Sequence, residues 1–312
     1  MSQRRDGNWV GGSFVAVVTP FNAVGEIDFG AFKTIVDFQR LNGTNALFFM
    51  GTAGELIALT EEEQQQIVVE TAKWKTADIP FFYGCTGTNT HETIRKVKFA
   101  EENGADGAML TLPPAFGPNQ QEAERYFLAV ADGTNLPLGT FNNPTRLMTD
   151  LHWEHLLRVF AHPRYVVHKE TTPRAGQAAY ILRAKPNIAF LADDEPDNDI
   201  LVCSMTLGAR GISNTAGNLA PAELAALAKP WTEMQNVAAF RALYFNMLPL
   251  LSFLCSARSP KATKALMNAV GLPAGHPRLP LEPLPEEQVR VGVKILKELG
   301  LIEKYGLITT AA

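Results

Sequence analysis

Cysteine is nearly missing from this chain: three residues, Cys85, Cys203 and Cys255, in 312. They stand far apart in apolar runs, without CxxC spacing or an even count. That excludes a disulfide framework and points to buried thiols in a reducing compartment. Long hydrophobic runs are missing too. The polar, basic opening from Met1 to Asn8 leads into no signal-peptide core, and no later run approaches the roughly 20 apolar residues of a membrane span. No membrane partner is expected, and the cytoplasm follows by default. Nor does charge of one sign accumulate. The formal net charge is −4 with Lys and Arg dispersed, so nucleic acid is not an expected partner. There is no Walker loop, and Gly84-Cys85-Thr86-Gly87 lacks the glycine spacing of a dinucleotide fingerprint. With 46% hydrophobic and 19% charged residues, the chain can bury a large core. Small molecules and other subunits remain as partners.

From Ser13 to Asn214 short apolar runs alternate with amphipathic segments, the pattern of βα units around a parallel sheet. The predicted strands are Phe14 to Val18, Ala46 to Met50, Pro80 to Tyr83, Gly107 to Thr111, Pro137 to Phe141, Tyr165 to Lys169, Ile188 to Ala192 and Gly211 to Ser213. Eight such units close a (β/α)8 TIM barrel, an α/β fold. Helix starts are written at Asp28, at Thr90 and most clearly at Thr60-Glu61-Glu62-Glu63, a capping box. After Asn218 apolar residues recur at helical spacing through Val237, Phe240, Tyr244, Met247, Leu251 and Leu254. The expected organisation is a flexible segment 1–12, a barrel core 13–218, and a C-terminal helical extension 219–312 packed on the barrel.

Chemistry collects at the carboxyl ends of these strands. Lys169 ends the run Tyr165-Val166-Val167-His168-Lys169. An arbitrary lysine at a strand end points into solvent, but at a barrel mouth side chains converge and water is partly excluded, which suits an amine nucleophile. Its expected chemistry is a Schiff base with a carbonyl substrate. After the second strand comes Gly51-Thr52-Ala53-Gly54-Glu55, where glycines let the backbone approach an anion while N–H groups and the Thr52 hydroxyl donate. After the fifth comes Phe141-Asn142-Asn143-Pro144-Thr145-Arg146, whose arginine can pair with a carboxylate.

These three motifs, with Gly208-Ala209-Arg210-Gly211-Ile212-Ser213, resemble the dihydrodipicolinate synthase and N-acetylneuraminate lyase family of Schiff-base TIM barrels. The stretch from Pro260 through Leu279-Pro280-Leu281-Glu282-Pro283-Leu284 resembles the synthase branch. The resemblance covers nearly the whole chain. It implies a cofactor-independent, metal-free lyase acting on pyruvate or another 2-oxo acid and an aldehyde, assembled as a homo-oligomer, dimer or tetramer. Lys169 would form the imine, Thr52 and the adjoining loop at Ala53 would hold the substrate carboxylate, Arg146 would meet a second carboxylate, and Ile212 would line the pocket. Three hydroxyls of the family pattern are replaced, by Ala53, by Phe141 at the position of the family tyrosine, and by Phe116 near the expected subunit interface. Phenylalanine cannot relay a proton. Water, or a nearby polar residue such as Thr140, Asn142, Thr171 or Asn214, is the candidate substitute. A sugar-acid or aromatic 2-oxo acid aldolase, dehydratase or hydratase-aldolase is the alternative activity, and a weakly active or non-catalytic 2-oxo acid-binding paralogue the alternative class.

Three further groups carry weaker expectations. Strand alternation turns His168 away from the barrel interior. His152, Glu154 and His155 at a helix start lack the further ligands of a metal site. Asp193-Asp194-Glu195 reads as a solvated acidic loop capping the next helix.

Overall fold

The apolar runs become eight parallel strands that pair in sequence order and close on themselves, β1 with β8, in a computed structural model that describes residues 9–309. Residues 1–8 of the expected flexible segment lie outside the described residues. The strands are β1 (Gly12–Ala16), β2 (Ala46–Phe49), β3 (Phe81–Gly84), β4 (Gly107–Leu110), β5 (Leu138–Asn142), β6 (Tyr165–Glu170), β7 (Ala189–Asp193) and β8 (Gly211–Asn214). Each of the last four runs one residue beyond its predicted end. The added residues, Asn142, Glu170, Asp193 and Asn214, are polar, and the parallel ladder carries them: Asn142 pairs with Glu170 and Asp193 with Ser213.

Alternation along each strand sorts side chains into two cores. Phe14, Ala16, Phe48, Phe82, Met109, Phe141, Val167, Ala189 and Leu191 fill the barrel interior. Their neighbours, among them Val15, Leu47, Phe49, Tyr83, Leu110, Phe190 and Ile212, pack outward against the helices. Helix starts follow the sequence signals: Asp28 caps Phe29–Leu41, Asn89 caps Thr90–Glu102, and the Thr60 and Glu63 capping box opens Glu61–Ala72. Glycine is required at position 104, where the chain turns with φ +85 between the helix Thr90–Glu102 and β4.

Past residue 218 the described chain is helical. Helix Pro221–Leu227 packs on β1 and β8 and so belongs to the barrel's outer ring, and the extension proper begins with Met234–Cys255. That 22-residue helix, which contains an 18-residue window of mean hydropathy 1.5, is long and apolar enough by length and composition to cross a membrane. This departs from the expectation that no run approaches a membrane span: Arg241 and Asn246 interrupt the run, and the apolar residues around them outweigh both in the average. Phe240, Met247, Leu250, Leu251 and Leu254 are buried, and the helix packs on helices 221–227, 261–269 and 286–298. Its carboxyl end leans over the barrel mouth, and there Cys255 is exposed; of the three thiols expected to be buried, only Cys85 is, and Cys203 is half-buried.

Candidate active site

A cavity of about 390 Å³ opens at the carboxyl ends of the strands. Thr52 and Ala53 line it after β2, Phe141 and Arg146 around the end of β5, Lys169 on β6, Asp193 at the end of β7, and Cys255 to Ser259 from the extension. Five of the residues that sequence reasoning singled out therefore share one cavity, though they come from three separate segments.

The loop after β2 is held from below. Met50 and Glu55 adopt left-handed backbone (φ 56 for each), and a side chain on Gly54 would meet the Met50 backbone nitrogen at 2.8 Å. Only glycine fits so close an approach. The Thr19 hydroxyl donates to the Gly54 carbonyl at 2.8 Å, and the Glu55 carboxylate meets Lys264 Nζ at 2.6 Å and accepts from the Arg278 backbone N–H at 2.9 Å. Thr52 is thereby fixed at the cavity wall.

Lys169 is buried, 6% exposed, with Nζ 2.8 Å from Asp193 Oδ1 and 4.7 Å from the centre of the Phe141 ring. The strand ladder sets this arrangement, because Phe141 lies opposite Lys169 in register, and both side chains turn inward. Asp193 is a cavity residue that the sequence reading misplaced. It was expected in a solvated loop; instead it continues the inward series Ala189, Leu191, Asp193 and is 3% exposed. Asp194 is buried as well, and accepts from the N–H groups of Thr215 and Ala216 at 2.9 Å each. Burial, and then the charge of Asp193, push the Asp194 carboxyl up to about 6, with Lys169 opposing. Glu195 rises for the same two reasons, while Lys169 and Arg146 pull it back.

Other expectations resolve differently. Ile212 does not line the cavity: it points from β8 into the helix layer, and Ser213 takes the inward position. Phe116 stands on the loop after β4, 72% exposed and outside the cavity lining. The outward face of β5 and β6 holds the other polar candidates. His168 lies there as alternation requires, between the Thr140 hydroxyl at 2.8 Å and Glu170 at 3.0 Å. The Glu170 carboxylate also accepts from Asn142, Thr171 N, Thr172 N and Gln177. Thr140 and Asn142 are therefore engaged behind the barrel wall, and Asn214 donates to Ser13. Thr171 is buried outside the cavity lining. None of the four candidate substitutes lines the cavity. His155 binds Glu124 and lies beside Arg158, a surface cluster remote from the mouth.

The Dihydrodipicolinate synthetase family model matches residues 9–299. The chain belongs to this family. It is thus an enzyme of the lyase class, built on the family's barrel. A relative in Citrifermentans bemidjiense, 4-hydroxy-tetrahydrodipicolinate synthase, is 32% identical over 292 residues, covering 93% of this chain and 99% of the relative. The solved dihydrodipicolinate synthase of Acinetobacter baumannii, in complex with pyruvate, superposes with a TM-score of 0.86 at 28% identity over 94% of this chain and 99% of that one. A monomeric dihydrodipicolinate synthase variant superposes with a TM-score of 0.87 at 27% identity, over 94% and 98%.

Proposed function

We propose that this enzyme is a Schiff-base lyase or synthase in which Lys169 forms an imine with pyruvate or a related 2-oxo acid, and the derived enamine joins to, or is released from, an aldehyde. The observation that carries the reading is the buried Lys169 Nζ presented to a cavity with the Thr52 loop on one wall and Arg146 on another. The likeness to a pyruvate-bound synthase supports it. Thr52 and its loop hold the 2-oxo acid carboxylate, and Arg146 pairs with an anionic group on the second substrate. The iminium itself is the electron sink that makes the adjacent carbon acidic.

Borohydride reduction in the presence of pyruvate, read by intact mass and peptide mapping, tests the reading. A stable adduct on Lys169 is expected, and none in Lys169→Ala, with turnover falling at least about 10⁴-fold in that variant. Absence of an adduct in the wild type, with ligand affinity unchanged in Lys169→Ala, sinks it and favours a binding paralogue. Condensation with aspartate semialdehyde is the next assay. A second activity has one observation in its favour. Asp193, Asp194, Glu195 and Asp197 all line the cavity, and an acidic wall suits a neutral hydroxy-aldehyde, as a sugar-acid aldolase uses, better than an anionic one. Assaying both aldehydes separates the two.

The proposal extends to a homo-oligomer. Phe116 and Met148, each 72% exposed, flank Gly117 and form an apolar patch that a second copy would cover. Sedimentation of wild type against Phe116→Asp reports it.

A further inference from the structure

Three carboxylates follow one another at the end of β7, and their hydrogen bonds separate them. Asp194 is occupied by two backbone N–H groups, and Glu195 accepts from Asn198 at 2.9 Å. Asp193 is different. One oxygen meets Lys169 Nζ, and the other, Oδ2, is buried with no hydrogen-bond partner among the described residues. The same is true of the hydroxyl of Ser213, its register partner on β8. A buried carboxylate oxygen without a donor costs on the order of 1–3 kcal/mol, more when charged, and such groups recur where chemistry needs them. Among the carboxylates of the cavity, Asp193 alone contacts Lys169 Nζ, while Phe141 presents a ring face, Ala53 a methyl group, and Thr140 and Asn142 are turned to the far side of the wall.

We propose that Asp193 is a catalytic residue, the proton carrier of imine formation at Lys169. The inference rests on the imine reading above. Asp193 Oδ1 takes one proton from the ammonium along the 2.8 Å contact, leaving a neutral amine. The nitrogen lone pair attacks the carbonyl carbon. A C–N bond forms, the carbonyl π pair moves to oxygen, and a second proton passes from nitrogen to that oxygen to give the carbinolamine. Asp193 then returns the first proton to the hydroxyl, the C–O bond breaks, and water leaves with both protons. The nitrogen keeps its third proton as the iminium, and Asp193 is again a carboxylate. The carbinolamine oxygen stands one carbon away from Nζ, within reach of an aspartate already in contact with that nitrogen. As a carboxylate once more, Asp193 is placed to accept the proton that the adjacent carbon loses on conversion to the enamine.

Several charges act on this pair and must stay fixed in the test. Arg146 approaches from the segment after β5, Asp194, Glu195 and Asp197 from the loop after β7, and Arg258 from the extension, while Glu170 and His168 stand behind β6. Asp193→Asn keeps all of these residues and the shape, and removes one of the charges that raise the Asp194 and Glu195 carboxyls. The rate of adduct formation with pyruvate, sampled by rapid borohydride quench from about pH 6 to 9, should fall on the order of 10²-fold or more in Asp193→Asn. The pH dependence of that step should flatten. Sodium formate, small enough for the cavity, should restore part of the rate in Asp193→Asn and leave the wild type unchanged, and Asp193→Glu should retain measurable rate. Adduct formation within about 3-fold of wild type in Asp193→Asn overturns the proposal, since loss of a general acid-base group should cost roughly 100-fold. So does a loss that formate does not relieve and Asp193→Glu does not avoid, since Asp193 would then only position the lysine. No adduct in the wild type fails at the earlier step and removes the imine reading together with this one.

Discussion

Two lysines are buried among the described residues, each against a carboxylate and each over a phenylalanine ring. Lys169 meets Asp193 at 2.8 Å and Phe141 at 4.7 Å; Lys264 meets Glu55 at 2.6 Å and Phe21 at 4.3 Å. The difference lies in what surrounds each pair. Lys264 is 0% exposed and donates to the His276 carbonyl at 3.1 Å, while Arg278 stacks on the same Phe21 ring at 4.2 Å and reaches Glu63, the Ala58 carbonyl and the Gly25 carbonyl. Its cluster ties the loop after β2 to the extension. Lys169 faces a cavity, and its carboxylate partner keeps an oxygen without a donor. The same two groups serve as a brace where the site is closed and, in the proposed mechanism, as a reactive pair where it is left open.

Removing each lysine is the largest test of that contrast. Lys264→Met leaves Glu55 as an uncompensated buried charge and should lower stability by about 3–5 kcal/mol. Lys169→Met should cost only about 1–2 kcal/mol, because the carboxylate it leaves behind lines an open cavity where water can reach it. Urea unfolding of the two variants measures the difference; equal losses would erase the distinction between brace and reactive pair. The closed pair also carries a pH signature. Burial pushes the Lys264 ammonium down to about 8, with Glu55 opposing. The unfolded chain keeps this proton up to the ordinary lysine value of about 10.4, so across that window the unfolded state binds more protons and stability from this group rises with pH. The stability gap between wild type and Lys264→Met should therefore widen from about pH 7.5 to about pH 9.5, and a gap that narrows would contradict the assignment.

The brace and the reactive pair were not equally legible in the sequence. Lys169 stood out because it closes the predicted strand that opens with the apolar run Tyr165 to Val167, and the loop 51–55 because of its glycines. Lys264 did not, since a lysine in an amphipathic helix looks solvated until the segment carrying Arg278 folds over it. Asp193 was misplaced for a local reason. Apolar runs define a strand by its buried face, and a polar inward residue at the last position is trimmed off, although Ala189, Leu191 and Asp193 keep the period of two. Counting the period past the last apolar residue would have found it. Ile212 failed by the same alternation, one residue out of phase with the interior.

Within the open site, the carboxylate-binding role proposed for Thr52 gives a smaller effect. Thr52→Val keeps the shape at the cavity wall and removes one hydroxyl, worth about 0.5–1.5 kcal/mol, so the apparent Kd for pyruvate should rise about 3- to 10-fold. The rate constant for imine formation at saturating pyruvate should stay near the wild-type value, because Thr52 is not the partner of Nζ. A fall in that rate with affinity preserved would move Thr52 from binding into proton transfer, and would weaken the case that one carboxylate serves the lysine.

Phe141→Tyr should have the smallest effect. The ring lies 4.7 Å from Nζ in an open cavity, so an added hydroxyl can reach water and needs no new space in a packed core. If proton transfer at Lys169 is interrupted, this hydroxyl supplies a relay and imine formation should accelerate by on the order of 10²-fold. If Asp193 already carries the proton, the tyrosine duplicates a function that is present, and the rate should change by less than about 3-fold. Rapid quench with pyruvate resolves the two outcomes. A small change in Phe141→Tyr together with a large fall in Asp193→Asn would show that the reactive pair is complete as it stands, and that what distinguishes it from Lys264 and Glu55 is access to the cavity.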